Sequence, residues 1–258
     1  MSRIFITGSA DGLGQLAARL LLQQGHQVVL HARSDARAQV AQASAPGAAG
    51  VVVGDLSTLA GMRQAAEQAN ALGPFDAVIH NAGMGFKEPN RGTTADGLPT
   101  VFAVNSLAPY VLTCLIERPK RLVYLSSGLQ REGQPSLHDL TWEQRPWNGY
   151  QAYCDSKLHD VWLAFAVARR WPQVLANAVT PGWVATKMGG PGAPDSLEEG
   201  PKTQAWLATS PDPAAQVSGR FFYHQRTQQP QPAASDVALQ DGFLAECARL
   251  SGVELPAA

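Results

Sequence analysis

Short apolar, β-branched runs alternate along this chain with longer stretches whose apolar positions recur at helical spacing. The strand-like runs are Arg3–Ile6, Gln27–His31, Gly50–Val53, Ala77–His80, Arg121–Leu125 and Val174–Val179. Helix-like stretches lie between them at Gly14–Gln24, Met62–Leu72, Ala95–Ile116 and Tyr150–Arg170. The runs are short, apolar and bounded by Gly, Pro or Asp, as strands covered on both faces tend to be. Six repetitions of this order predict an α/β protein. The expected fold is a Rossmann-type, doubly wound parallel sheet with right-handed crossovers, in a single domain over 1–258.

Two stretches break the rhythm. Gly128–Gly149 carries Trp142, Pro146 and Trp147, and Lys187–Pro201 has four Gly and three Pro. Loops at the carboxyl ends of parallel strands line the ligand crevice of such folds, so both are candidates for shaping a substrate pocket. The second predicts a mobile substrate loop, taken as 187–205. Trp142, Trp147, Trp183 and Met188 are candidates for an apolar pocket wall, with plain packing as the alternative. The Gln/Pro-rich run from Gln225 to Pro232 reads as a turn or tail.

Composition narrows the function. Apolar residues make up 45% of the 258, enough for a continuous core, while charged residues are 16% with a net charge of -1. That balance excludes the basic stripe of a nucleic-acid binder. Cys114, Cys154 and Cys247 lack metal-type spacing and read as free thiols of a reducing compartment. The six histidines show no metal-ligand spacing either, so no metal is expected. A strand begins at Ile4, leaving no room for a signal peptide. The longest uncharged apolar stretch, Val101–Ile116, is shorter than the roughly 20 residues a spanning helix needs. A cytoplasmic protein without membrane contact is the expectation. The helices Ala95–Ile116 and Tyr150–Arg170 carry more apolar positions than one sheet face covers, which predicts a homodimer through them.

Candidate chemistry starts after the first strand, at Thr7-Gly8-Ser9-Ala10-Asp11-Gly12-Leu13-Gly14. A glycine-rich turn from strand to helix lets the backbone approach a pyrophosphate, which free N–H groups and the helix dipole then hold. The second strand ends His31-Ala32-Arg33-Ser34, where an acidic residue would be needed to bind a ribose 2′-hydroxyl. Arg33 can pair with a 2′-phosphate and Ser34 can donate to it, which favours NADP with NAD as the alternative. Arg33 stacked on adenine is the other option. Asp55-Leu56 after the third strand suits the adenine amino group. Asn81-Ala82-Gly83 after the fourth suits the back of the cofactor. After the last clear strand come Pro181-Gly182, Val184 and Thr186, the last within reach of a nicotinamide carboxamide.

Tyr150 and Tyr153 are both chemically suitable, but only Tyr153 has a lysine four residues on, Lys157, sharing its helix face. A nearby ammonium favours phenolate and so brings a tyrosine toward the operating range of an acid/base. Ser126 or Ser127, after the fifth strand, can hold a carbonyl oxygen. Asn105 is polar in an otherwise apolar helix and needs a partner if buried, a relay water being one.

Taken together, these residues resemble the short-chain dehydrogenase/reductase family, in its single-domain branch. The marks are Thr7-Gly8-x-x-x-Gly12-x-Gly14, Asn81-Ala82-Gly83, Asn105, Ser127, Tyr153-x-x-x-Lys157 and Pro181-Gly182, in register from the first strand to about residue 225. Leu137–Leu140, Gly149–Lys157 and Ser218–Phe222 are similar to the retinol-dehydrogenase-like and carbonyl-reductase-like group. The resemblance implies a tetrad of Asn105, Ser127, Tyr153 and Lys157, with Tyr153 as general acid/base and Lys157 as pKa tuner and ribose clamp. It implies a carbonyl or alcohol as substrate. Ser127 and Tyr153 stand further apart than in the commonest members. The membrane segment that animal retinol dehydrogenases often carry is absent, so retinoid is not carried over. A dinucleotide sensor on the same fold is the rival reading, disfavoured by the complete tetrad.

Overall fold

The computed structural model describes residues 1–258 and consists of one eight-stranded sheet wrapped by helices. The strands are β1 (Arg3–Ile6), β2 (Gln27–Ala32), β3 (Gly50–Val53), β4 (Ala77–His80), β5 (Arg121–Leu125), β6 (Leu175–Val179), β7 (Phe221–Tyr223) and β8 (Arg226–Gln228), in the order β3-β2-β1-β4-β5-β6-β7-β8. Seven pair in parallel; β8 runs antiparallel to β7 at the edge. The order reverses between β1 and β4. That reversal opens a crevice at the carboxyl ends of the strands, where ligands bind in open α/β sheets.

All six expected strands form. The Gln/Pro-rich run read as a turn or tail instead contributes β8, whose residues are exposed. An edge strand needs only one covered partner, so it shows no apolar pattern for the eye to find.

The helices are α1 (Gly12–Gln23), α2 (Asp35–Ser44), α3 (Leu59–Leu72), α4 (Thr100–Phe102), α5 (Ala108–Leu115), α6 (Gly149–Arg170), α7 (Lys202–Thr209) and α8 (Val237–Ser251). Residues Ala95–Pro99 lie outside the helix expected to begin at Ala95. The rest of that stretch is interrupted by a π-helical turn at Ala103–Leu107. The cause is Pro109, which has no N–H for the Asn105 carbonyl four residues back. The chain widens there, and the Ala108 N–H bonds the Ala103 carbonyl instead.

One sheet face, with α3, α5, α6 and α8, holds a core cluster of 41 buried residues; α1, α2 and α7 cover a second cluster of 20. The larger face owes its size to α8 and the chain after it. Phe243 and Leu244 of α8 are buried in that core, each contributing about 1.5–3 kcal/mol of apolar burial. The Tyr110 hydroxyl donates to the Val253 carbonyl at 2.8 Å, and the Trp171 indole donates to Pro256 at 2.9 Å. The surplus apolar positions on α5 and α6, read as a dimer face, are therefore covered from within the chain. The three cysteines are buried and unpaired. No helix is long and apolar enough to cross a membrane.

Candidate active site

A cleft of about 710 Å³ opens at the carboxyl ends of β1, β2, β4 and β5. One end is built by the turn between β1 and α1. Gly8 has φ +63°, and a Cβ there would lie 2.7 Å from the Ala82 Cα. Gly14 is equally constrained: a Cβ would meet the Asn81 side chain at 2.4 Å. The glycines let the turn press against the segment after β4, and Asn81 Nδ2 seals the contact by donating to the Thr7 and Gly8 carbonyls. Asp11 caps α1 by accepting from Gly12 N–H at 2.8 Å. The N–H groups of Leu13 and Gly14 have no acceptor in the protein.

His31 completes this wall. Its Nδ1 accepts from Gly8 N–H at 3.0 Å while Nε2 lies 2.9 Å from the Gly54 carbonyl, so the proton sits on Nε2. Burial lowers its pKa to about 4 and keeps the ring neutral, as that acceptor role requires. Arg33 and Arg37 line the cleft where β2 passes into α2. Arg37 reaches back to the turn, donating to the Ala10 carbonyl at 3.3 Å and pairing with Asp11 at 3.4 Å. Arg37 is absent from the sequence expectations, although a second arginine one helical turn after Arg33 was a visible signal.

At the other end, Tyr153 (7% exposed) and Lys157 (5%) line the cleft from α6. The Lys157 ammonium lies 5.8 Å from the Tyr153 ring centroid. Tyr150 points elsewhere: it is 40% exposed and its hydroxyl donates to Glu132 at 2.9 Å. The two serines differ sharply. Ser126 is buried and donates its hydroxyl to the Lys157 carbonyl at 2.6 Å. Half-buried Ser127 caps the following 3₁₀ turn by accepting from Leu129 N–H at 3.2 Å, so its own proton remains available.

Asn105 is buried, and its side chain is fully engaged. Oδ1 accepts from Met84 N–H at 2.7 Å; Nδ2 donates to the Met84 carbonyl at 3.1 Å and to Ser156 at 3.0 Å. The amide thus anchors the segment after β4 and has no hydrogen left for a relay water. Its main-chain carbonyl, deprived of an i+4 donor by Pro109, is the group that can take one.

Gly8, Asp11, Gly12, Leu13, Arg33, Asp55, Leu56, Asn81, Ala82, Gly83, Tyr153, Lys157, Pro181 and Thr186 all face the cleft. Others do not. Ser9 is fully buried, donating to the Ile6 carbonyl and accepting from His31 N–H, so it staples β1 to β2. Gly14 packs behind the turn. Exposed Ser34 occupies the N-cap position of α2 without lining the cleft. Gly182 (φ +88°) turns the chain against Asp195, and Val184 is buried under Gly200. Trp142 and Trp147 of the 128–149 segment meet edge to face at 5.2 Å, with the Arg145 guanidinium 3.5 Å over Trp142. Neither lines the cleft; with Leu140 and His159 they border a separate, much smaller cavity.

The loop from residue 187 ends earlier than expected, since α7 already begins at Lys202. It is also tied down. Lys187 pairs with Asp11 at 2.5 Å, which holds that carboxyl below the usual range, and Asp195 accepts from Trp183 N–H at 2.6 Å. Met188 lines the cleft and packs near Gly85. Phe86, next to Gly85 in the chain, has its ring 5.9 Å from Tyr153 and 6.2 Å from Tyr150.

A family profile described as enoyl-(acyl carrier protein) reductase matches residues 8–217, which span both ends of this cleft. The chain belongs to the short-chain dehydrogenase/reductase family. The short-chain dehydrogenase chyC of Penicillium rubens is 44% identical over 261 residues, covering 100% of both chains. Human retinol dehydrogenase 13 is 30% identical over 287 residues, covering 98% of this chain and 85% of its own, in keeping with the retinol-dehydrogenase-like resemblance. Among solved structures, an uncharacterized protein from Mycobacterium paratuberculosis superposes with a TM-score of 0.84 at 26% identity. That match covers 99% of this chain and 95% of the other. This short-chain dehydrogenase/reductase is accordingly an NAD(P)-dependent oxidoreductase acting on a small molecule.

The cleft fits the nicotinamide dinucleotide that this chemistry needs. The unpartnered N–H group of Leu13, which lines the cleft at the start of α1, suits a pyrophosphate, and buried Asn81 Oδ1 has no partner of its own. When bound, the cofactor supplies or accepts the hydride.

Proposed function

We propose that the protein is an NADP-preferring reductase or dehydrogenase of an apolar carbonyl or alcohol, with Tyr153 as its general acid/base. The observation that carries this reading is the shared face of Tyr153 and Lys157, both buried and both facing the cleft. Lys157 presents a fixed positive charge beside the phenol, stabilising the phenolate and placing Tyr153 to exchange a proton with the substrate oxygen. Ser127 donates its free hydroxyl to that oxygen. The Asn105 carbonyl holds the water through which the proton reaches solvent.

NADP is preferred because Arg33 and Arg37 both face the cleft, and no carboxylate at the end of β2 competes for a ribose hydroxyl. Two guanidiniums hold a 2′-phosphate by charge-assisted hydrogen bonds. Phe86, its ring 5.9 Å from Tyr153, and Met188 on the cleft wall give the substrate an apolar flank. The buried, unpaired cysteines suit a reducing compartment such as the cytoplasm.

The test is a fluorescence titration with NADPH and NADH, followed by a panel of aldehydes and ketones with Tyr153→Phe as control. NADPH binding with turnover lost in the Tyr153→Phe variant is the expected result. Binding without turnover on any substrate would move the protein to a sensing role, and binding of neither cofactor would overturn the assignment.

A further inference from the structure

Lys157 is held from behind by a residue outside the cleft. One turn along α6, Asp160 places Oδ2 2.8 Å from the Lys157 Nζ, and the Leu125 carbonyl accepts from the same ammonium at 2.7 Å. Both side chains are buried, the lysine 7% and the aspartate 3% exposed. A buried ion pair is a poor means of gaining stability, because desolvating two charges offsets their attraction. What it does supply is geometry. An ammonium has three donors; two are engaged inside the protein, which leaves one for the cleft.

We propose that Asp160 is a positioning residue for the reaction: it anchors the Lys157 ammonium at the floor of the cleft and holds it in its charged form, so that Tyr153 always meets a fixed positive charge. Its role in turnover rests on the function proposed above, whereas its hold on Lys157 does not. Asp160 is absent from the cleft lining, so it acts through the lysine alone.

The surroundings leave nothing else to do this. From β5, Tyr124 engages its hydroxyl with Thr113 of α5 at 2.8 Å. From β4, the His80 ring lies 3.2 Å from the same Thr113 hydroxyl, and burial lowers its pKa to about 3. On α5 the Cys114 thiol is pushed up to about 12 by burial. On α6 itself His159 is lowered to about 4 by burial, and Tyr153 is the remaining neighbour. None of the histidine, thiol or Tyr124 groups carries charge near neutrality. Burial pulls Lys157 toward the neutral amine, and the Asp160 carboxylate, aided by the Tyr153 oxygen, outweighs it. Burial also raises Asp160, to about 6, so the pair is fully ionised only above that pH.

The test begins on the cofactor-free protein, following the Lys157 side-chain carbon resonance by NMR, assigned through its loss in Lys157→Met. The wild-type lysine is expected to titrate above an ordinary lysine, and Asp160→Asn to lower its midpoint by at least about one unit, a tenfold loss of proton affinity. In the holoenzyme the same variant moves the ascending limb of kcat/KM for alcohol oxidation to higher pH, with KM for NADP within about threefold, since an ammonium no longer anchored and fully charged beside the phenol favours phenolate less. An unmoved lysine midpoint in a folded Asp160→Asn protein overturns the proposal. If that variant does not fold, the wild type decides: an Asp160 carboxyl carbon still protonated at pH 7.5, or a lysine neutral there, overturns it. Absence of any wild-type turnover would count against the proposed function and leave the NMR comparison standing.

Discussion

The Ser126 hydroxyl donates to the Lys157 carbonyl at 2.6 Å, fastening the end of β5 to the helix turn that carries the lysine. This bond separates the roles of two adjacent serines. Ser126→Ala leaves a buried carbonyl with one bond fewer and is expected to lower stability by about 1 kcal/mol, with turnover kept within a few-fold. Ser127→Ala is expected to melt like the wild type and lose about 10²–10³ in kcat, as removal of an oxyanion donor does. Melting curves beside steady-state kinetics check both, and a reversed pattern would exchange the roles.

Arg33 and Arg37 define a second prediction. Each Arg→Ala variant is expected to weaken NADPH by about 1.5–3 kcal/mol, roughly ten- to a hundredfold, and to leave NADH nearly unchanged. Fluorescence titration at two salt concentrations checks this. Equal losses for both cofactors would mean the arginines bind adenine or pyrophosphate and not the 2′-phosphate.

Stability should fall on mild acidification. His31, His80 and His159 are lowered by burial to about 4, 3 and 4, so the unfolded chain takes up protons from pH 6.5 downward before the folded one does. Their contribution is full above 6.5 and is lost as pH falls toward 4. Asp160, raised to about 6, works in the opposite sense between 6 and 4. Three groups against one give a net loss of roughly 2–3 kcal/mol per pH unit near pH 5. Urea unfolding at pH 7 and pH 5 measures it; equal midpoints would show the histidines charge without unfolding.

The interior coverage of α5 and α6 predicts a monomer. Light scattering after size exclusion should give about 27.4 kDa at micromolar concentration. Truncation after Gly252 removes the acceptors of Tyr110 and Trp171 and is expected to lower the melting temperature. A dimer in the full-length chain would show that another surface associates.

Several elements could be read directly. The six parallel strands show because a strand buried on both faces has an uninterrupted apolar run, and Tyr153 with Lys157 shows because four residues make one helical turn. The turn at Gly8 was legible through its glycines. Other elements left weaker traces. Asp236 and Gly252 bracket α8 as N-cap and left-handed C-cap, signals present in the chain but faint beside its weak amphipathic pattern.

Local chemistry thus determined the fold class, the glycine turn after β1 and the shared helix face of Tyr153 and Lys157, because each depends on residues close together in sequence. Tertiary packing decided the rest. Which serine keeps its proton depends on Lys157, 31 residues away. The engagement of the Asn105 amide depends on Met84, and whether the long helices need a second chain depends on α8. Hydrogen-bond partners and covered faces are set by what the fold brings within 3 Å, and spacing along one chain carries no record of those distances.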